Sequence, residues 1–471
     1  MIRLKDTQHS NTATFLASAI RIAEYYGFSP LEGMPRATLP TDGIARRPVM
    51  PLSKIESEIS FARREERSLL SSARKCLTSA KKDGAVLAWR ILGSASGIPA
   101  ISFELHIVGP SSAIAEALLV IVANAITEES GIKERVLSVN NIGSSDSSNR
   151  FVRDIGLYLR KHIESISPTL RPRAVTDPLG TLVQLIERGH PAAPRAPQAM
   201  EYLTEEERRR FWEFLEYLEM FGLPYELNAH ILGSRDCWSH SLFEISTSDP
   251  ESGARIPVAF GGRYDALASR FAQSPASAVM ISITCEVRGK TRPKREVRPS
   301  QGTTQPAIYF AHLGEEARRR TISVLENLRH AAIPVHQGLW YERITEQMTA
   351  ARELSVPYIL IMGHKEAMEG TILVREVAAV ERRRIRLRVL IRHGHVRKLY
   401  RNRRGLGRRR QRFAIRWTVL VAACAIVVQV RIAAPAAMFR IVGHGGPPCL
   451  RCSRVNRPAV LLREYTMNGI F

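Results

Sequence analysis

The sequence predicts an α+β protein in which an antiparallel sheet is backed by helices and followed, after a linker, by a small α/β domain. Three observations lead there. Residues 85–92 (AVLAWRIL) and 100–108 (AISFELHIV) are β-rich runs joined by a short Gly/Ser/Pro loop, the pattern of an antiparallel pair. Further strand-like runs follow at 225–232, 241–246, 256–260 and 277–287. From residue 307 onward strand and helix patterns alternate, as a small layered α/β unit requires.

In chain order, a helix comes first. Residues 12–26 place Phe15, Leu16, Ala19, Ile22, Ala23 and Tyr26 on one face, and Gly27 supplies the left-handed stop. Residues 32–80 are Pro-rich, then strongly charged, and yield no element. After the strand pair, SSAIAEALLVIVANAITEES is a helix apolar on most sides, hence expected to be buried, and RVLSVNN is a strand. Residues 151–230 read as mostly helical. Thr204 and Glu207 form a capping box there, each side chain satisfying an otherwise free backbone N–H of the other residue. Phe211, Phe214, Leu215, Leu218 and Phe221 make the inner face of that helix, and Gly222 with Pro224 ends it.

Residues 288–306 are charged and rich in turn formers without periodicity, which marks a linker. Its GKT resembles part of a phosphate-binding loop, but the first glycine of that motif would fall on Thr284, so the match fails. The expected organisation is a core over 1–287 with a helical insertion at 151–230, the linker, an α/β domain over 307–377, and an unassigned tail over 378–471.

The net charge of +23 points to a polyanion only until its distribution is read. Residues 381–471 hold 22 of the 68 Lys and Arg and only Glu381 and Glu464 as acids, so the body is near neutral. Two readings stand open for the tail: a basic arm whose guanidiniums displace counterions from RNA phosphates, or the product of a shifted reading frame in a GC-rich gene. Six cysteines without a disulfide-framework spacing, and an N-terminus without an apolar signal region, lead to the expectation of a reducing, cytoplasmic compartment. The run WTVLVAACAIVVQV (417–430) is shorter than the roughly 20 residues of a membrane span, so no membrane partner is expected. Cys449 and Cys452 near His444 make only half of a zinc pattern, and no metal site is expected.

One stretch raises a sharper question: VAFGGRYDALASRF (258–271) breaks a β-run at two glycines and resumes with an arginine, a tyrosine and an acid. Taken alone it fits a β-bulge with Arg263 and Asp265 as a local ion pair. Taken in order with YYGF, the 85–109 pair, NNIGSSDSSNR, GLPYELN and DCWSHSLFEI, the body over 1–377 resembles the class II histidyl-tRNA synthetases. The resemblance implies the class II antiparallel core sheet, an anticodon-binding-like domain over 307–377, ATP and Mg²⁺, tRNA and histidine as ligands, and a homodimer. It implies ATP-dependent activation of histidine and its transfer to tRNA. The alternative is a non-catalytic paralogue that binds histidine, a nucleotide or tRNA as a regulator. No basic stripe marks 307–377, since Arg318, Arg319 and Arg320 are consecutive and point around a helix, so tRNA is implied by the resemblance alone.

By the same resemblance Gly261, Gly262 and Arg263 bend the sheet beside the amino-acid pocket, Tyr264 faces the histidine ring, and Asp236 and Trp238 are the pocket acid and second aromatic. Arg90 matches the first of three arginines that neutralise charge at the α-phosphate. Leu92 stands where an acid is expected two positions later. Gly233 and Cys285 occupy the other two arginine positions, and His106 replaces the acid that holds the substrate ammonium. Arg235 is the substitute expected for the arginine lost at Gly233: on a strand it would share a face with residue 233, about 6.6–7 Å away. Arg288 is the corresponding substitute for Cys285.

Overall fold

The computed structural model describes residues 1–33, 50–63, 65–79, 85–93, 99–249, 252–288, 308–330 and 333–376. The linker beyond Arg288, the tail over 378–471, its 417–430 run and Cys449, Cys452 and His444 lie outside the described residues.

The chain enters through α1 (Thr12–Tyr25), capped by Asn11, and turns at Gly27, φ +90°, into a two-residue strand β1 (Ser29–Pro30). Two helices follow where no element is expected, α2 (Leu52–Glu56) and α3 (Glu65–Ser79). The strand pair is β2 (Val86–Gly93) and β3 (Ala100–Val108), antiparallel as expected. Then come α4 (Ile114–Glu129), β4 (Arg135–Asn141), α5 (Ser145–Lys161), α6 (Arg171–Thr176), α7 (Pro178–Glu187) and α8 (Glu205–Met220). The capping box at Thr204 and Glu207 is formed. The remaining large-sheet strands are β5 (Tyr225–Leu227), β6 (Ser239–Ser248), β7 (Arg255–Arg263) and, after α9 (Asp265–Ala272), β8 (Ala278–Glu286).

These build one eight-stranded sheet, ordered β1-β2-β3-β8-β7-β6-β4-β5, antiparallel except for the parallel pairs at its two ends. Register places Trp89, Leu105, Ile281, Gly261, Phe243 and Val139 in one row across it. These face the back, where α1, α4 and α8 cover them. The adjoining rows face the front: Arg90, Glu104, Ser282, Phe260, Glu244 and Ser138 in one, Ala88, His106, Met280, Gly262, Leu242 and Asn140 in the next. Helices α3, α5, α7 and α9 cover this second face.

A second sheet of four strands contains β9 (Ile308–His312), β10 (Val335–Gln337), β11 (Tyr358–Met362) and β12 (Leu373–Glu376), in the order β10-β9-β11-β12. Its helices are α10 (Glu315–His330), α11 (Ile344–Glu353) and α12 (His364–Glu369). Ile308, Phe310, Ile322 and Leu325 belong to the same apolar cluster as Phe15 and Phe103, so the layer behind the large sheet continues into the small one.

Candidate active site

The two glycines of the 258–263 strand answer to packing. A Cβ on Gly261 would come within 2.2 Å of the Met280 carbonyl, and one on Gly262 within 2.7 Å of the Ser241 carbonyl, so only glycine admits these neighbours. Pairing with β6 shifts register between Ser239 and Leu242, a β-bulge. Alternation separates the two glycines. Gly262 lies in a front row, whereas Gly261 and Arg263 lie in back rows, so the three residues expected to bend the sheet beside the amino-acid pocket do not share a face.

Arg263 is fully buried behind the sheet. Its guanidinium grips Glu116 of α4 in a two-pronged pair, with Nε donating to Oε1 at 2.7 Å, and it lies 3.3 Å from Asp265. Burial alone would lower its pKa, but the carboxylates of Glu116 and Asp265 more than offset this and hold it up. The local ion pair with Asp265 is therefore formed, and Arg263 ties β7 to α4 instead of meeting a front-face ligand.

On the front face, β3 presents Glu104 and His106, and α9 begins just after Tyr264; all three are 0% exposed. The His106 ring stands edge-on to Tyr264, centroids 6.1 Å apart at 84°. Its Nδ1 lies 3.2 Å from the Tyr264 hydroxyl and its Nε2 lies 3.3 Å from Glu104 Oε2. One hydrogen pattern satisfies both ring nitrogens: Nε2–H donates to the carboxylate, and Nδ1 accepts from the hydroxyl. Burial pushes the Tyr264 phenol far above its ordinary range, which keeps the proton it donates. Glu104 also accepts from Ser68 at 2.8 Å and Ser72 at 2.6 Å, both on α3. Burial would raise the Glu104 pKa, but the His106 contact and these two hydroxyls bring it below the usual carboxylate range.

Arg90 joins the same network from β2. It donates to Ser71 at 2.9 Å, to Ser72 at 3.0 Å and to Glu32 at 2.8 Å. Arg90, Ser72, Glu104, His106 and Tyr264 thus form one hydrogen-bonded chain running from a half-buried guanidinium into the interior.

A second buried carboxylate is Glu66, also on α3, 0% exposed and absent from the sequence reading. It accepts from the backbone N–H groups of Ala62, Arg63 and Ser234 and from Trp238 Nε1 at 3.0 Å. Burial pushes its pKa up against these donors. The signal for α3 lies in Leu69, Leu70, Ala73 and Cys76 at helical spacing, but Glu66 and Ser72 interrupt the apolar stripe and hide it.

Around Gly233 the expected strand is a turn: the N–H groups of Cys237 and Trp238 both donate to the Ser234 carbonyl. Period-two alternation does not apply there, so Arg235 does not take the place of a residue at 233. It is exposed and donates to Asn149 at 2.6 Å. A Cβ on Gly233 would come within 2.5 Å of the Trp238 ring, leaving no room for an arginine. Asp236 is half-buried and accepts from the Ser60 N–H at 3.2 Å. Trp238 is buried edge-on to Phe260. Cys285 faces the apolar layer behind the sheet, and Arg288 is exposed, its backbone bonded to Thr12 at the start of α1. Neither position addresses the front face.

One front-face cavity, of about 430 Å³, lies beside the network and is lined by Met1, Arg63, Glu65, Val258, Phe260 and Thr284 among others. The Arg63 guanidinium sits 4.2 Å over the Phe260 ring and 3.7 Å from Glu244.

The chain resembles known proteins in several stretches. The family described as anticodon binding domain matches residues 308–392. The histidine–tRNA ligase of Bacillus velezensis is 26% identical over 291 residues, covering 61% of this chain and 68% of the relative. The chain is similar to histidine–tRNA ligases over its matched stretch and to an anticodon-binding domain at 308–392. The histidine–tRNA ligase of Bacillus subtilis is 27% identical over 281 residues, 59% of this chain and 66% of the relative, so the matched stretch spans about two thirds of either enzyme. The crystal structure of apo S. aureus histidyl-tRNA synthetase aligns over 78% of this chain and 90% of its own, with 16% identity and a TM-score of 0.42.

Synthetases of this family use ATP and Mg²⁺, which require free cations for the phosphates and oxygen ligands for the ion. In this synthetase-like chain Arg90 is tied to Glu32 and two serines, and Arg235 points to Asn149. Among the described residues no group of three or more His, Cys, Asp and Glu is placed to hold a metal, and no helix is long and apolar enough to cross a membrane. The two arginines expected at the phosphates are each engaged by side chains of this chain.

Proposed function

We propose that this protein is a tRNA-binding, histidyl-tRNA synthetase-like protein that does not activate histidine. The observation that carries the reading is the closed Glu104–His106–Tyr264 network: the side chains that would line an amino-acid pocket bond to one another and to α3, with no exposed surface. A ligand entering there would have to break several buried hydrogen bonds, each of which costs more to leave unmade than it contributes when formed. Support for tRNA comes from the anticodon-binding match at 308–392. A core over 1–287 with a helical insertion, a domain over 307–377, a homodimer and a cytoplasmic location complete the reading.

The competing reading is a working ligase. It is favoured by the cavity beside Arg63 and Phe260, where a guanidinium stacked on an aromatic ring resembles a platform for a nucleobase. Aminoacylation separates the two. With the full chain, a histidine tRNA transcript should be retained in a filter-binding assay while no histidyl-tRNA forms; histidyl-tRNA in that assay would establish the ligase instead. Binding is followed across a salt series, because attraction by the basic tail alone would fall steeply with salt and ignore tRNA identity.

A further inference from the structure

A single short run of chain, residues 26–32, connects the front-face network to the small sheet. At one end Tyr26 is buried. Its hydroxyl donates to Glu326 of α10, and its carbonyl accepts from Gln337 of β10 at 3.2 Å. The neighbouring Tyr25 hydroxyl donates to the Leu325 carbonyl at 3.2 Å. Glu326 is in turn fixed by Arg329, which also reaches Glu129 of α4 at 3.3 Å.

At the other end, Glu32 accepts from Arg90 Nε at 2.8 Å and lies 3.6 Å from Lys75 of α3. The chain between has no slack. The Phe28 N–H closes back on the Ala23 carbonyl at 3.1 Å, Ser29 and Pro30 pair with Ala88 and Trp89 in the sheet, and Leu31 is buried. A displacement at Tyr26 must either break the 23–28 turn or pass into β2, the strand that carries Arg90.

We propose that residues 26–32 are a mechanical link through which the seating of the small α/β layer on α1 sets the position of Arg90, with Glu32 as the positioning residue. Arg90 then bears on Ser71 and Ser72, and Ser72 on Glu104, so the link ends in the closed network. Coupling of this kind needs a contiguous set of contacts that both ends can bias, and the run from Glu326 to Glu104 supplies one. The link does not depend on whether the chain binds tRNA.

Amide hydrogen exchange on the full chain, read by mass spectrometry, tests it. Tyr26→Phe and Gln337→Ala loosen the seating end, and each should speed exchange in peptides from β2 and α3 by about three- to tenfold, the scale of one lost hydrogen bond. Arg319→Ala removes a different contact of α10, the 2.7 Å bond to Glu216 of α8, and should leave β2 and α3 unchanged. Because coupling is reciprocal, Glu32→Gln should speed exchange in α10, an effect that a purely local role for Glu32 does not produce. Unchanged β2 and α3 in both seating variants, or an equal response to Arg319→Ala, would overturn the link.

Discussion

Behind the eight-stranded sheet, Leu105, Ile281 and Phe243 meet the apolar faces of α1, α4 and α8, with the Arg263–Glu116 pair as the charged element described there. In front, Glu104 and His106 occupy the middle of the covered face and are satisfied by each other and by Ser68, Ser72 and Tyr264 from two other segments. An apolar layer tolerates changes that conserve volume. A closed polar network is all-or-none, since every group left without its partner keeps its desolvation cost. The two faces should therefore respond differently to substitution.

The largest effect belongs to the back. Arg263→Ala leaves the buried Glu116 carboxylate with Arg210 at 3.8 Å in place of its two-pronged partner and should cost about 3–5 kcal/mol in urea unfolding, whereas Arg263→Met combined with Glu116→Leu should recover most of it. Next is Gly261→Ala, which drives a methyl into the Met280 carbonyl and should cost roughly 3 kcal/mol, the upper range for overpacking. On the front, Tyr264→Phe deprives His106 of its hydroxyl partner and should cost about 1–3 kcal/mol.

Glu207 stitches the two layers, reaching from α8 to Ser144 and Ser147 at the start of α5. Burial would raise its pKa, but the N–H groups of Thr204 and Ser144 and the serine hydroxyls hold it down at about 2, against an ordinary 4.5. A depressed folded-state pKa contributes stability that is complete above the ordinary value and is lost as pH falls from 4.5 through about 2. Melting temperature followed over that range should fall less steeply in Glu207→Gln than in the parent. The smallest effect is at Arg235: its side chain is exposed on a turn, and Arg235→Ala should move stability by no more than about 0.5 kcal/mol. A large loss there would mean that Arg235 has a front-face partner after all.

Legibility in the sequence follows the same division. The β2–β3 pair, the RVLSVNN strand, the helix closed by Gly27 and the Thr204 capping box all rest on local signals, namely alternation, turn residues and cap chemistry, and each is observed. Gly261 and Gly262 are legible as a break, but which face each belongs to depends on register with β6 and β8. The strand expected over 225–232 stops at Leu227, and the one inferred around Gly233 is a turn, because the Glu66 carboxylate takes the Ser234 N–H. Nothing local announces that carboxylate, 168 residues away. The front network is built from such distant partners. Composition shows an acid and a histidine on one strand; only the fold brings α3 onto them.

The central claim, that the front face is closed to the chemistry of activation, is tested most directly by histidine-dependent ATP–pyrophosphate exchange with the full chain. The account predicts no exchange above the histidine-free background in protein that still retains tRNA. Exchange that requires histidine would contradict it and would mean that α3 moves off Glu104 and His106 to admit substrate.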